Sequence, residues 1–240
     1  REVNMRYPAC LKEYYNSDSP INPYAFFDIF FEELPEGETM VCGNGSACVI
    51  TFQTAKIKKG QRLFANSGCA SMGYGFPASI GVAVEKCGER VICIDGDGSF
   101  QMNIQELQTV VHNKLNIKIF IINNNGYHSI RQTQSNVFPS HTLAGVSKEN
   151  GISFPSCEKL ASCYGLNYVK IEALSHTKER IREALNLPGP VLCEVVVDPK
   201  QNFAPKLSSK VMPNGKIISP PIDDMFPFLS REEYEQNKLK

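Results

Sequence analysis

Residues 91–99, Val91-Ile92-Cys93-Ile94-Asp95-Gly96-Asp97-Gly98-Ser99, join an apolar run to a short acidic segment rich in glycine. A run that is apolar at every position is typical of a strand buried on both faces of a parallel sheet. Apolar residues then recur at helical spacing from Ile104 to Val111, and a second apolar run follows at residues 117–122. This order of strand, helix and strand predicts a parallel α/β unit.

The chain on both sides of this unit continues the same alternation. A helix is predicted to start at Pro23 and to continue to about Leu34, because proline favours the first position of a helix. Residues 72–87, apolar on nearly every face, are predicted to form a buried helix. Further strands are expected at 40–42, 62–65, 168–171 and 191–197, and further helices at 160–164 and 177–185. We therefore predict an α/β fold with about six parallel strands and helices on both faces of the sheet.

Composition divides the chain into three parts. Residues 1–23 lack clear periodicity and are interpreted as a linker from a missing upstream domain. Residues 24–198 contain every predicted strand and form the expected domain. Residues 199–240 are rich in Pro, Lys and Ser, so we expect an extended C-terminal tail.

The bulk composition argues against several classes of partner. The 240 residues carry no formal net charge and are 42% hydrophobic, so neither a nucleic acid nor an anionic membrane is an expected partner. No apolar run approaches the roughly 20 residues that span a bilayer. The nine cysteines are scattered, odd in number and never in CxxC spacing. They favour reduced thiols in a cytoplasmic protein, with a structural zinc site as the alternative.

The acidic segment after the first apolar run has the composition of a ligand site. Open α/β sheets bind ligands at the carboxyl ends of their strands, and free N–H groups at a helix start favour an anion. Gly96 and Gly98 allow the backbone to approach a ligand closely. Asp97, which taken alone is also a typical helix cap, adds a carboxylate between them. A phosphate bound here requires a cation, and a hard ion such as Mg²⁺ fits this oxygen-rich setting.

A second polar turn is expected at the same edge of the sheet. Twenty-four residues separate Gly98 from Asn123, which is enough for one helix and one strand. The second strand therefore delivers Asn123-Asn124-Asn125-Gly126 to the edge that carries Asp97. An asparagine side-chain oxygen and a backbone carbonyl from this turn complete the expected metal shell.

Other interpretations of these motifs are open from the residues alone. Residues 95–106 place oxygen ligands at the positions of an EF-hand calcium loop, although Phe100 occupies the position that requires glycine. Residues 73–78 match the dinucleotide-binding GxGxxA pattern, but they lie within an expected helix. Asn125-Gly126 is also a common hairpin turn.

The GDG segment, the 24 residues after it and the following Asn pair together form the fingerprint of thiamine diphosphate binding. Around this fingerprint the chain resembles the acetolactate synthase large subunit and its relatives, over about residues 24–197. In that family the matching region is the C-terminal, diphosphate-binding domain. The resemblance implies that Asp97 and Asn124 bind the metal through their side chains. It also implies that Gly126 binds the metal through its carbonyl oxygen.

A second segment carries the same resemblance. Residues 68–77 resemble the family motif GLGAMGFGLP, in which Met72 is implied to prop the cofactor into its bent shape. The carbonyl of Ala70 is implied to accept a hydrogen bond from the 4′-amino group of the cofactor. Gly45-Ser46 matches a family loop at the diphosphate, although Ser46 alone is also a typical helix cap. The complete set of residues expected to bind the cofactor is Gly45, Ser46, Ala70, Met72, Gly96, Asp97, Gly98, Ser99, Asn124, Gly126, Tyr127 and His128.

The resemblance further implies an activity. In this family the cofactor adds to a 2-keto acid such as pyruvate, CO₂ leaves, and the two-carbon unit is ligated to a second carbonyl compound. The Glu that activates the cofactor belongs to a separate N-terminal domain, usually on the partner subunit, so no catalytic residue is expected in this chain. We therefore interpret the chain as a C-terminal fragment that is inactive alone. It is expected to belong to a homodimer or tetramer, with FAD as a candidate second cofactor of the full-length protein.

Two positions bear on the acceptor substrate. Acetolactate synthases carry a Trp past the Asn turn, whereas Thr133 takes that position here and the chain contains no Trp. This departure favours synthase-like relatives, some of which transfer a two-carbon unit to a keto-sugar nucleotide. Arg131 is a candidate partner for an anionic acceptor, or otherwise a member of a surface ion pair. Outside the enzymes, the alternative is a cofactor-binding or assembly module without a complete site.

Overall fold

The structure is a computed structural model that describes residues 5–212 and 214–238. Contacts between residues divide the chain into two units. The larger unit is Cys10–Gln201, and the smaller one combines the residues up to Ala9 with those from Asn202 onward. The larger unit contains every strand that the sequence predicts.

A single parallel sheet forms the centre of the larger unit. Its strands are β1 (Thr39–Cys42), β2 (Arg62–Ala65), β3 (Val91–Gly96), β4 (Ile117–Asn123), β5 (Asn167–Ile171) and β6 (Val191–Val196). Their order across the sheet is β2-β1-β3-β4-β6-β5, and every neighbouring pair is parallel. The predicted α/β fold with about six parallel strands is therefore confirmed.

One α-helix precedes the first strand of this sheet, and the others of the larger unit lie between successive strands. These helices are α1 (Pro23–Glu33), α2 (Ser46–Thr54), α3 (Gly75–Glu85), α4 (Asp97–Phe100), α5 (Leu107–His112), α6 (His128–Val137), α7 (Cys157–Tyr164) and α8 (Thr177–Asn186). A 3-10 segment, Gln101–Glu106, joins α4 to α5. Within the described residues, no helix has both the length and the apolar character needed to cross a bilayer.

Helices cover both faces of the sheet, which explains why the central strands are apolar at every position. On one face, Phe120 of β4 packs edge-to-face against Phe30 of α1, with 5.0 Å between ring centroids. On the other face, Ile119 and Ile121 of β4 belong to a core cluster with residues of α3, α5 and α7. Because successive side chains of a strand point to opposite faces, both sets of positions in β4 are buried.

The strand order places a crevice between β1 and β3. β1 leads into α2, which packs on α1, whereas β3 leads into α4 and α5, and α5 packs on α7. The connections after these two neighbouring strands therefore leave toward opposite faces of the sheet. In open α/β sheets the carboxyl ends of such a strand pair form the ligand-binding crevice.

Helix boundaries follow local backbone chemistry. α1 begins at Pro23 as predicted, because the Asn22 side chain accepts a hydrogen bond from the Tyr24 amide at 2.9 Å. The helix predicted over residues 72–87 starts only at Gly75, since Gly73 has a φ of +80° and cannot continue a right-handed helix. The prediction that this helix is buried on nearly every face is also wrong, because Val84 is 61% exposed.

The smaller unit contains regular structure where we expected an extended tail. It has a two-stranded antiparallel ladder of β7 (Lys210–Val211) and β8 (Ile217–Ile218), followed by α9 (Arg231–Asn237). Ser230 caps α9 by accepting a hydrogen bond from the Glu233 amide at 3.2 Å. These elements are too short to give a periodic pattern, which is why composition alone did not reveal them.

Candidate functional site

A cavity of about 250 Å³ opens at the carboxyl ends of β1, β3 and β4, three neighbouring strands. The segments that follow these strands supply most of its walls, and Met72 contributes from the segment before α3. The lining residues are Asn44, Gly45, Ser46, Met72, Gly96, Asp97, Gly98, Ser99, Asn124, Gly126, Tyr127, His128, Ser129 and Ile130. The cavity thus lies at the crevice that the strand order creates.

Three helices begin at this cavity. The first residues of α2, α4 and α6 are Ser46, Asp97 and His128, and all three line it. None of the three helices has a side-chain cap at its N-terminus. Uncapped helix starts carry free N–H groups and a partial positive charge. The cavity is therefore suited to an anion with several oxygen atoms, such as a diphosphate.

Asp97 supplies the carboxylate of the site. Its Oδ1 accepts a hydrogen bond from the Gly98 amide at 2.9 Å, and its Oδ2 accepts one from the Gly126 amide at 3.0 Å. The side chain thus links the segment after β3 to the turn after β4. Burial raises the pKa of Asp97 to about 7, because the charged form has lost most of its hydration.

Asn124 supplies an amide oxygen without a partner. Its Nδ2 donates to the Ser46 Oγ at 3.1 Å, which fixes the orientation of the amide. Its Oδ1 is buried and has no hydrogen-bond donor within the described residues. A buried acceptor of this kind is costly unless a donor or a cation satisfies it. Carboxylate and amide oxygens are the ligands that a hard divalent cation prefers.

Two glycines are required by close contacts at the site. A Cβ at position 98 would lie 2.2 Å from the Tyr127 ring, so the aromatic ring occupies the space of a side chain. A Cβ at position 126 would lie 1.8 Å from the carbonyl oxygen of Val146. Gly126 also has a φ of +143°, in the left-handed region that glycine favours.

The segment that carries Met72 is tied to the segment after β3. The Gly73 amide donates to the Ser99 Oγ at 2.9 Å, and its carbonyl accepts from the Asn103 side chain at 2.6 Å. Met72 lines the cavity and remains 38% exposed. The backbone next to Met72, the residue implied to support the cofactor, is therefore held by the same segment that contains Asp97.

The structure brings together all the residues expected to bind the cofactor except Ala70. The carbonyl of Ala70 instead accepts a hydrogen bond from the Asn44 side chain. The lining residues that sequence reasoning missed are Asn44, Ser129 and Ile130. Asn44 and Ser129 directly adjoin residues of the expected set, and Ile130 follows Ser129, so their positions in the sequence carried a signal.

Two interpretations of individual side chains are corrected. Ser46 is not a helix cap, because α2 begins at Ser46 and Gly45 occupies the capping position. Arg131 is directed at backbone carbonyls, donating to Asn125 and Val146 at 3.3 Å each and to Pro199 at 3.1 Å. It thereby clamps the turn after β4 and forms no ion pair within the described residues, whereas its pairing with an anionic acceptor stays a prediction.

The alternative metal and nucleotide motifs do not fit the fold. A strand precedes Asp95 where an EF-hand has a helix, and Glu106 accepts a hydrogen bond from Thr109 at 2.7 Å. Residues 73–78 run into α3 without a strand directly before them, since β2 ends at Ala65, unlike a dinucleotide-binding turn. All nine cysteines are free thiols, and no three His, Cys, Asp or Glu side chains among the described residues are grouped to hold a metal.

The raised pKa of Asp97 predicts that the free energy of unfolding of the ligand-free chain depends on pH. Between the ordinary carboxyl pKa of 3.8 and about 7, the folded chain holds a proton that the unfolded chain has released, so the stability contribution falls as pH rises. We expect the free energy of unfolding of the wild type, relative to Asp97→Asn, to fall by on the order of 3 kcal/mol between about pH 4 and about pH 8. Urea denaturation of both proteins with a metal chelator present measures this difference. A difference that is constant with pH would contradict the assignment.

Comparison with known proteins agrees with this geometry. The model of the family described as "Thiamine pyrophosphate enzyme, C-terminal TPP binding domain" matches residues 43–195. The matched region begins at the glycine turn after β1 and ends within β6, so it contains the whole cavity.

Individual relatives are acetolactate synthases. The chain is 36% identical to the acetolactate synthase large subunit of Cyanidium caldarium over 156 residues, which are 65% of this chain and 26% of the relative. It is 30% identical to acetolactate synthase 2, chloroplastic, of Nicotiana tabacum over 209 residues, which are 85% of this chain and 31% of the relative. It is likewise 30% identical to acetolactate synthase 3, chloroplastic, of Brassica napus over 213 residues, 87% of this chain and 32% of the relative. The chain thus spans between a quarter and a third of the length of these relatives.

Proposed function

Because the chain belongs to the thiamine pyrophosphate enzymes, as their C-terminal TPP-binding domain, we propose that its cavity binds the diphosphate of thiamine diphosphate through Mg²⁺. One observation carries the metal: the buried Oδ1 of Asn124 has no donor and lies in the same cavity as the Asp97 carboxylate. A cation between these oxygens would satisfy the first and offset the buried charge of the second.

The roles of the lining residues follow from their chemistry. We assign Asp97, Asn124 and the Gly126 carbonyl to the metal. Ser99 and the start of α2 at Gly45-Ser46 contact the diphosphate oxygens through backbone N–H groups. Gly98 lets the backbone come close to the diphosphate, while its own N–H donates to Asp97. Met72, Gly96, Tyr127 and His128 complete the walls around the rest of the cofactor.

When bound, thiamine diphosphate supplies a carbon nucleophile for a 2-keto acid and an electron sink for the carbanion left when CO₂ departs. The residues of this chain would hold the diphosphate, and Met72, which lines the same cavity, would support the rest of the cofactor. Among the described residues, Asp97 is the only carboxylate that lines the cavity, and we assign it to the metal. We therefore propose that the carboxylate that activates the cofactor comes from another domain or a partner subunit.

The rim of the cavity supports a shared site. Met72, Ile130 and Met102 are 38%, 45% and 48% exposed, and two of these three apolar side chains line the cavity itself. Exposed apolar side chains grouped beside a site favour a covering surface. We propose that a second domain or subunit, in a homodimer or tetramer, completes the site here. Any FAD would be held by another part of the protein.

The relatives and the cofactor together suggest the reaction. We propose that the intact enzyme decarboxylates pyruvate and ligates the two-carbon unit to a carbonyl acceptor. The name acetolactate synthase, which its relatives carry, supports this proposal. Thr133 does not line the cavity, but it stands where the resemblance implies a larger Trp, and this difference favours an acceptor larger than a second keto acid. It is exposed, and its hydroxyl donates to the Ser129 carbonyl one helical turn away, at 2.9 Å. A keto-sugar nucleotide is therefore the second candidate acceptor.

The test uses the intact protein. Calorimetric titration with thiamine diphosphate is expected to show binding with Mg²⁺ and none with a chelator. Incubation with pyruvate and a panel of keto acids and keto-sugar nucleotides, followed by mass spectrometry, identifies the ligated product. Binding that is independent of a divalent cation would refute the metal site, and CO₂ release without any ligated product would refute the carboligase assignment.

Ser46 is expected to position Asn124 without carrying the metal itself. Ser46→Ala removes the acceptor for the Asn124 amide, so the Oδ1 is no longer held toward the cavity. We expect Mg²⁺ to bind about 10-fold more weakly in the presence of cofactor, as is typical when a group that orients a metal ligand is lost. Calorimetry measures the change, and Ser135→Ala, at an exposed position of α6, is the control. Equal affinity in the two variants would contradict this role.

A further inference from the structure

A second, smaller cavity lies on the far side of Asp97 from β1. It has a volume of about 160 Å³, and its lining includes Asp97, Asn123, Asn125 and Glu194. Glu194 belongs to β6, which lies beside β4 in the sheet, and it does not line the cofactor cavity. The comparison with other proteins assigns it no role, and the proposed function does not use it.

Glu194 accepts hydrogen bonds through both carboxylate oxygens. Its Oε1 accepts from the Asn123 Nδ2 at 2.6 Å, and its Oε2 accepts from the Tyr168 hydroxyl. Burial and the neighbouring carboxylate raise the pKa of Tyr168, so this hydroxyl keeps its proton and donates. The position of the carboxylate is therefore fixed from β5 on one side and β4 on the other.

Asn123 links Glu194 to the turn after β4. With its Nδ2 directed at Glu194, its Oδ1 faces the backbone and accepts from the Asn125 amide at 2.9 Å. The Asn123 carbonyl also accepts from the Val197 amide at 3.0 Å, which ties the same residue to the chain after β6. The amide orientation of Asn123 thus depends on Glu194.

The turn after β4, which the contact between Asn123 and Asn125 shapes, has an unfavourable backbone conformation. Asn125 has a φ of +57° and Gly126 a φ of +143°, and a non-glycine residue adopts the left-handed region only at a cost. Asn124 and Gly126, which we assign to the metal, flank Asn125 in this turn. A shift of the Asn125 backbone would move both the side-chain oxygen and the carbonyl oxygen offered to the cation.

We propose that Glu194 is a positioning residue for the metal-binding turn and sets its Mg²⁺ affinity by fixing the amide of Asn123. The inference rests on the proposed function, since it presupposes a metal at Asn124 and Gly126. Glu194 affects the Mg²⁺ affinity through geometry and not through its charge, because its oxygens are directed at Asn123 and Tyr168.

Substitutions at Glu194 separate geometry from charge. Glu194→Leu removes both acceptors, so we expect the Kd for Mg²⁺, at saturating cofactor in the intact protein, to rise about 10-fold or more. Glu194→Gln is expected to stay within about 3-fold of the wild type, because its carbonyl can accept from Asn123 while its amide donates to the Tyr168 oxygen. Glu172→Leu, at an exposed position, is the control.

A swapped pair protects the test against a variant that fails to fold. Asn123→Asp keeps the acceptor for Asn125 but sets a second carboxylate against Glu194, so we expect weaker Mg²⁺ binding. Adding Glu194→Gln should restore the affinity to within about 3-fold of the wild type, because the introduced amide can donate to the introduced carboxylate. If either substitution weakened Mg²⁺ binding only by disturbing the fold, the second substitution would not restore the affinity.

The outcomes distinguish the two levels of the proposal. A wild-type protein that binds no Mg²⁺ with its cofactor refutes the proposed function. If the wild type binds and Glu194→Leu binds equally well, the positioning role alone is refuted. If Glu194→Gln is as weak as Glu194→Leu, the charge of Glu194 and not its geometry controls the site, which also overturns the inference. Restoration in the double variant supports it.

Discussion

Asp97→Asn is expected to weaken Mg²⁺-dependent binding of thiamine diphosphate by at least about 100-fold, because it removes the negative charge from the proposed metal shell. The other two proposed ligands are the neutral oxygens of Asn124 and Gly126. A neutral amide at position 97 keeps the size of the side chain but not its charge, so the variant isolates the electrostatic term. Calorimetric titration of Mg²⁺ at saturating cofactor in the intact protein measures the loss.

The matched control is Asp198→Asn, because Asp198 does not line the cavity. Circular dichroism should show the same helix content in both variants. Affinity within about 3-fold of the wild type for Asp97→Asn would exclude this carboxylate as a metal ligand. The variant should also reduce the pH dependence of stability described above, which provides a measurement that does not require cofactor.

Gly126→Ala is expected to destabilise the fold by about 4 kcal/mol or more, since the added Cβ would lie 1.8 Å from the Val146 carbonyl oxygen. That oxygen cannot move away freely, because it accepts hydrogen bonds from the Tyr127 amide at 2.9 Å and from Arg131 at 3.3 Å. The φ of +143° adds a backbone cost that alanine cannot avoid. The free energy of unfolding, from urea denaturation, measures the effect.

Gly145→Ala separates the two sources of this cost. Gly145 also has a positive φ, of +66°, but no atom lies within 4 Å of the position of its added Cβ. It should therefore cost only about 1 kcal/mol, from the backbone conformation alone. Similar losses in the two variants would show that the collision with Val146 is relieved by a local shift.

The sequence reveals the larger unit well because its signals are local. Apolar runs mark the strands of a sheet that is covered on both faces, and Pro23 marks a helix start that the structure confirms. The glycine segment after β3 and the Asn turn after β4 are separated by one helix and one strand. That spacing suffices to place Asp97 and Asn124 at one edge of a parallel sheet.

The features that the sequence does not reveal depend on neighbours distant along the chain. Glu194 contacts Asn123 across 71 positions, and only the order of β4 and β6 in the sheet brings them together. The clamp made by Arg131 depends on a carbonyl at Val146, within a segment that has no periodic pattern. The contact between Ala70 and Asn44 likewise arises from two irregular segments. Backbone carbonyls have no signature in a sequence, so such contacts cannot be inferred from residue types.

The contact between Gly98 and Tyr127 restricts how this site can be redesigned. Because the ring fills the space where a Cβ would project, a side chain at position 98 and an aromatic ring at position 127 exclude each other. The two positions must therefore be changed together, and the effects of their substitutions on stability should be strongly non-additive. A library that changes residue 127 alone is compatible with Gly98 whichever side chain is introduced. A library that changes residue 98 alone would yield defective proteins unless the ring is reduced in the same clone.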